Sequence, residues 1–195
     1  MEEDVRRCFQ RLWVLVVSHT KCDQILSAQM LDLMTQLREL IVMGAQDWDL
    51  GQLHGRLPNI RKLRITNSVV RCSTCSENEL FSKMNKMEIL DFSGNSTNSP
   101  MKTLFGPGAI SNSSCLETVI VDGSRGFEHI SFSGCSKLKN LFLRGWTMWN
   151  LRTLDISGTT VKKIDLTATT IPNLEELYIS TWLRKSLCNH VVTTR

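Results

Sequence analysis

Apolar residues recur along the chain in one short phrase, L-x-x-L-x-L, with aliphatic or aromatic replacements. Leu12, Leu15 and Val17 carry it first, then Leu37, Leu40 and Val42, Ile60, Leu63 and Ile65, and Met87, Leu90 and Phe92. It returns at Leu116, Val119 and Val121, at Phe127, Ile130 and Phe132, and at Leu138, Leu141 and Leu143. Leu151, Leu154 and Ile156, then Val161, Ile164 and Leu166, then Leu174, Leu177 and Ile179 complete the set. The starts at 12, 37, 60 and 87 are about 25 residues apart, inside the roughly 20 to 29 of a leucine-rich repeat. Later starts crowd together and resolve into two interleaved series, one at 127, 151 and 174 and the other at 116, 138 and 161. Each coil of a solenoid would then carry an apolar stripe on both sides.

Within the phrase, apolar and polar residues alternate, as in Leu90-Asp91-Phe92 and Leu154-Asp155-Ile156. Period two sends one set of side chains inward and the other to solvent, which predicts strands. Turn signals follow: Ser93-Gly94-Asn95, Asp122-Gly123-Ser124, Ser133-Gly134-Cys135 and Ser157-Gly158-Thr159. One repeat cannot bury its apolar edge alone, but stacked repeats bury it continuously. The predicted fold class is α/β: a leucine-rich-repeat solenoid with parallel strands on the concave face and an irregular or short helical convex side. Asn, Cys or Thr at the ninth position caps the turn after the strand, and Asn95, Cys135 and Thr159 stand there in the repeats from 87, 127 and 151. That places Phe127, Leu151 and Leu174 on the concave face with Leu37, Ile60 and Met87, and 137–143 and 161–166 on the convex side. Leu116 fits this register poorly, and the alternative frame exchanges the two faces.

The pattern divides the chain into a lead-in at 1–11, a repeat domain at 12–179 and an irregular tail at 180–195. Asp23 to Arg38 has apolar spacing suited to a short convex helix capped near Ser27. A Ser-, Asn-, Gly- and Pro-rich stretch at about 93–114 is longer than an ordinary return and reads as a loop leaving the solenoid.

Composition narrows the function classes. The chain has 195 residues, 42% of them hydrophobic, enough for a continuous core. Lys plus Arg is 23 and Asp plus Glu 19, a net charge of +4, without the strongly basic stripe of a nucleic-acid binder. The longest apolar run, Leu12 to Val17, is far short of a membrane span. The acidic start, Met1-Glu2-Glu3-Asp4, is unlike a signal peptide, so a cytoplasmic location is expected. Seven irregularly spaced cysteines are then expected as free thiols, and the sequons at Asn95 and Asn112 as chance matches.

Leu151-Arg152-Thr153-Leu154-Asp155-Ile156-Ser157-Gly158-Thr159 with Val161-Lys162-Lys163-Ile164 resembles the repeats of plant intracellular nucleotide-binding leucine-rich-repeat disease resistance proteins. Phe132-Ser133-Gly134-Cys135-Ser136-Lys137-Leu138-Lys139-Asn140-Leu141 is similar to another phrase of that family, and Leu37 to Leu40 and Leu57 to Leu63 agree with it. The resemblance covers roughly Leu12 to Ile179. It implies the sensor end of an immune receptor, whose partner would be a pathogen effector, a guarded host protein or the receptor's own nucleotide-binding domain. No G-x-x-x-x-G-K-S/T motif occurs, so the resemblance extends to no nucleotide switch in this chain. It further implies a carboxy-terminal receptor fragment, a truncated paralogue or an incomplete gene model.

A curved solenoid offers its concave face to partners. In the chosen register the outward residues there are Glu39, Ile41, Lys62, Arg64, Ile89, Asp91, His129, Ser131, Thr153, Asp155, Glu176 and Tyr178. Val14 and Val16 add apolar side chains where solvent-facing ones are expected. No catalytic, cofactor or metal residues are expected. Cys72-Ser73-Thr74-Cys75 has no second ligand pair for zinc, and His19, His54, His129 and His190 are scattered. Trp13, Trp48, Trp146 and Trp149 are expected to fill space beneath returns. The expected partner is a protein, with no nucleic acid and no membrane. The rivals are the substrate-binding half of an F-box-type ubiquitin ligase, which lacks room for an F-box before Leu12, a small inhibitor scaffold, and a truncated non-functional fragment.

Overall fold

The computed structural model describes residues 3–19, 24–73, 80–81, 83–97, 103–104, 115–124, 126–144, 148–162, 164 and 171–179. Helix α1 (Glu3–Gln10) leads into strand β1 (Val14–Ser18). Helix α2 (Ala28–Leu33), β2 (Glu39–Met43), β3 (Trp48–Asp49) and a 3-10 turn at Leu50–Leu53 come next. Then follow β4 (Lys62–Thr66), β5 (Val69–Arg71), β6 (Ile89–Asp91), β7 (Ser96–Thr97) and β8 (Thr103–Leu104). The last strands are β9 (Thr118–Ile120), β10 (His129–Ser131), β11 (Asn140–Phe142), β12 (Thr153–Ile156) and β13 (Glu176–Ile179).

The chain is a parallel-strand solenoid of leucine-rich repeats. One sheet of six strands runs β1-β2-β4-β6-β9-β11, a second of four runs β13-β12-β10-β8, and a third of three runs β3-β5-β7. The registers stack one leucine position on the next. Leu15 pairs with Leu40, Leu40 with Leu63, Leu63 with Leu90, Leu90 with Val119 and Val119 with Leu141. From Leu40 to Leu141 this column is buried, as are Leu37, Ile60, Met87, Leu116 and Leu138, which open each phrase. The three apolar positions of the phrase thus form the core, and the alternating ones form the outward face.

This topology corrects the assignment of strands to faces. The strands at 129–131, 153–156 and 176–179 do not extend the sheet begun at 39–43, 62–66 and 89–91. Those at 118–120 and 140–142 do. The hydrogen-bond ladder decides it: Phe92 N–H donates to Ile120 O at 2.7 Å, Gly94 N–H to Asp122 O at 2.7 Å, and Gly123 N–H to Arg144 O at 2.7 Å. The ninth-position rule misled because both series satisfy it. Buried Asn95 donates to Ile65 O at 2.6 Å and Phe92 O at 2.8 Å, and accepts from Ser68 N at 2.9 Å. One coil on, Ser124 takes the corresponding place, its hydroxyl donating to Phe92 O. Serine thus joins Asn, Cys and Thr as a residue that fills this place. On the other side, Thr159 Oγ1 donates to Ile156 O at 2.8 Å, the same device in a different sheet.

The predicted convex helix is shorter than its apolar pattern, confined to Ala28–Leu33. Ser27 occupies the N-cap without a side-chain cap bond. Its hydroxyl donates to Gln24 O, and Gln52 Oε1 accepts from Ala28 N–H at 2.8 Å. Position 23 lies outside the described residues. The lead-in is helical, and Phe9 from α1 packs against the core. Within the stretch at 93–114, β7 and β8 belong to the solenoid's sheets, so these parts do not leave it. The tail at 180–195 and half of the stretch at 161–166 lie outside the described residues.

Candidate partner-binding face

The twelve expected site residues fall on two sheets. Glu39, Ile41, Lys62, Arg64, Ile89 and Asp91 lie on the six-stranded sheet, and His129, Ser131, Thr153, Asp155, Glu176 and Tyr178 on the four-stranded one. They do not form one surface. Thr118, Ile120, Asn140 and Phe142 complete the six-stranded face, and sequence reasoning missed them. The signal available was Leu116 as a repeat start, with Ser124 at its ninth position.

Two rows cross that face. Along one, the register places Val16, Ile41, Arg64, Asp91, Ile120 and Phe142 side by side. Along the other come Val14, Glu39, Lys62, Ile89, Thr118 and Asn140. Val14 and Val16 are exposed at 50% and 55%, and Phe142 at 37%. Trp13, just before β1, is exposed at 56%, and the Arg38 guanidinium lies 4.2 Å from its ring centroid. Apolar side chains therefore stand where a merely solvated strand face would be polar.

The charges are largely paired across neighbouring coils. Lys62 Nζ is 3.8 Å from Glu39, Arg61 3.4 Å from Glu88, Lys139 3.8 Å from Glu117 and Arg144 3.2 Å from Asp122. Arg144 also lies 5.1 Å from the Phe142 ring centroid. Arg64 differs, because its Nε is buried without a hydrogen-bond partner. The neighbouring Asp91 carboxylate is committed to its own turn, accepting from Ser93 N at 3.1 Å and Oγ at 2.6 Å.

The four-stranded sheet presents a more polar set. Thr153 Oγ1 donates to Glu176 Oε2 at 3.2 Å, Asp155 accepts from Ser157 N and Oγ, and Ser131 is buried. Tyr178 is half exposed there.

Other candidate chemistry resolves into structure. Burial would push the Asp49 carboxyl up, but hydrogen bonds from Ser73 and Gly51 and the charge of Arg71 hold it below its ordinary value. It anchors the turn after β3. Cys72 is disulfide-bonded, which corrects the expectation of a free thiol at that position, while Cys8, Cys115 and Cys135 are in no disulfide. Burial pushes the Cys135 thiol up to about 11, leaving it unreactive at neutral pH. Among the described residues, no group of three His, Cys, Asp or Glu side chains could hold a metal ion. No helix among them is long and apolar enough to cross a membrane. Trp48 fills the core as expected, but Trp13 and Trp149 are more than half exposed, against the expectation that they fill space under returns. Trp146 lies outside the described residues.

No family model and no curated protein matches the sequence. Among solved structures, mouse RP105 in its complex with MD-1 is similar at 18% identity and a TM-score of 0.42, over 83% of this chain and 30% of that one. TLR13 in its complex with ssRNA13 is similar at 15% identity and 0.43, over 88% and 33%. The functional domain of InlJ from Listeria monocytogenes, which includes a cysteine ladder, gives 13% and 0.29, over 76% and 35%. This chain spans about a third of the length of each.

Proposed function

We propose that this chain is a protein-recognition module that docks its partner on the outward face of the six-stranded sheet and acts by binding, without catalysis. The observation that carries the reading is the run of exposed or half-buried apolar side chains on that face, from Val14 and Val16 through Ile41, Ile89 and Ile120 to Phe142. Covering what remains exposed of one such side chain contributes up to about 1.5 kcal/mol, half or less of the value for full burial, which a partner can use and solvent cannot. The finer reading follows the resemblance of the repeats. The module serves as the sensor region of a plant cytoplasmic immune receptor, for an effector, a guarded host protein or the receptor's own nucleotide-binding domain. Acidic side chains interrupt the cations on the face, an arrangement that disfavours a polyanion such as nucleic acid.

The test is a phage-displayed random-peptide selection on the immobilised chain. Binders are re-measured on a Val16→Asp, Ile120→Asp double variant and on a His129→Asp, Tyr178→Asp double variant. Loss at the first alone, with unchanged melting of both proteins, is expected. Binding that survives on the first variant, or a selection that yields no binders, sinks the reading.

A further inference from the structure

Four basic side chains gather on the amino-terminal half of the six-stranded sheet and its margin. Arg38 rests on Trp13, Arg61 faces Glu88 and Lys62 faces Glu39. Arg64 has no ion pair with any described carboxylate, and its Nε is buried without a partner. Nε is shut off from solvent, but the two terminal guanidinium nitrogens are not, and they make no hydrogen bond to a described residue, so they are the donors open to an incoming acceptor. Adjacent strands lie about 4.8 Å apart, so Arg64 stands one strand from Ile41 and two from Val16 on one side, and two from Ile120 on the other.

We infer that Arg64 is the anchor for a single carboxylate of the partner, an Asp or Glu carried between aliphatic side chains. The inference rests on the docking face assigned above and names what that face selects. A guanidinium takes a carboxylate through paired, charge-assisted hydrogen bonds. Val16 and Ile41 on one side and Ile120 beyond Asp91 on the other accept the flanking aliphatic groups. Asp91 stands next to Arg64 in the register and repels a second negative charge. The site therefore fits one carboxylate in an apolar segment, and a chain of phosphates poorly.

The test reads the same peptide selection for composition. Peptides enriched in Asp or Glu flanked by Leu, Ile or Val are expected. A synthetic lead peptide, followed by fluorescence polarisation, should bind Arg64→Gln about tenfold or more weakly, the loss of one charge-assisted contact. Replacing the peptide's acid by its amide should give a similar loss, and combining the two changes should add little further. Arg64→Lys should recover only part of the affinity, and all variants should melt as the unaltered protein does. Enriched peptides that carry no acid, or that bind Arg64→Gln unchanged, overturn the anchor. If those peptides still fail on the Val16→Asp, Ile120→Asp variant, the docking face survives. Binding insensitive to both sets of substitutions, or no enrichment, overturns both. A single-stranded oligonucleotide that displaces the peptide and depends on Arg64 would assign the anchor to phosphate instead, also overturning the proposal.

Discussion

At the scale of single residues, the solenoid depends on small polar groups and glycines where one coil touches the next. Asn95 is the clearest case, since its removal takes a bond from Ser68 N–H, Ile65 O and Phe92 O, of which Phe92 O keeps the Ser124 hydroxyl. Asn95→Ala should cost at least about 2 kcal/mol by urea unfolding. The same burial leaves no room for a glycan on Asn95 in the folded protein. Gly158 has a φ of +69°, and a Cβ there would lie 3.2 Å from Gly134 N. Gly158→Ala should therefore destabilise by about 1 to 2 kcal/mol, from the left-handed backbone and the close backbone neighbour together. Cys135 adds a pH dependence. Its pKa of about 11 is raised from 9.0 by burial, so its contribution is complete below pH 9 and lost as pH climbs to 11. Melting temperature should fall across that interval, and Cys135→Ala should flatten part of the fall.

At the scale of elements, the question is which strand lies beside which. The phrase L-x-x-L-x-L marks nine of the thirteen strands among the described residues, because alternation and burial are local properties that Leu40, Leu63 and Leu90 display directly; the two- and three-residue strands β3, β5, β7 and β8 do not carry it. Sheet membership is not local. Phe127-Glu128-His129-Ile130-Ser131-Phe132 and Leu116-Glu117-Thr118-Val119-Ile120-Val121 satisfy the same pattern and the same ninth-position device. Only the long segment between Ile89 and Thr118 separates the two possible stackings, and its length by itself suggests an excursion from the solenoid. The twelve expected contact residues were consequently half on one sheet and half on another. Cross-linking checks the correction. Ile89→Cys with Thr118→Cys, which are register partners, should join under mild oxidation, whereas Ile89→Cys with His129→Cys should not. Arg64's isolation could not be read from the sequence at all, since it arises from how Lys62, Asp91 and their neighbours spend their own contacts.

At the scale of the whole molecule, stability is shared between neighbours along one axis. Leu63 lies in the middle of the stacked leucine column and is fully buried, while Leu15 sits on the outermost strand and is half-buried. Leu63→Ala should cost about 2 to 5 kcal/mol by denaturant unfolding, and Leu15→Ala clearly less. Amide exchange should be slowest in β4 and β6 and faster in β1 and β13, since β13 has no fully buried position. The double winding of the later coils has a further consequence. Thr118 and Asn140 hold equivalent places in the six-stranded sheet, and His129 and Thr153 in the four-stranded one. Excising residues 118–139 would bring Asn140 beside Ile89 and Thr153 beside Thr103, shortening both sheets by one strand without shifting either frame. A deletion half that size would put each remaining strand into the wrong sheet, so this architecture changes length in whole turns.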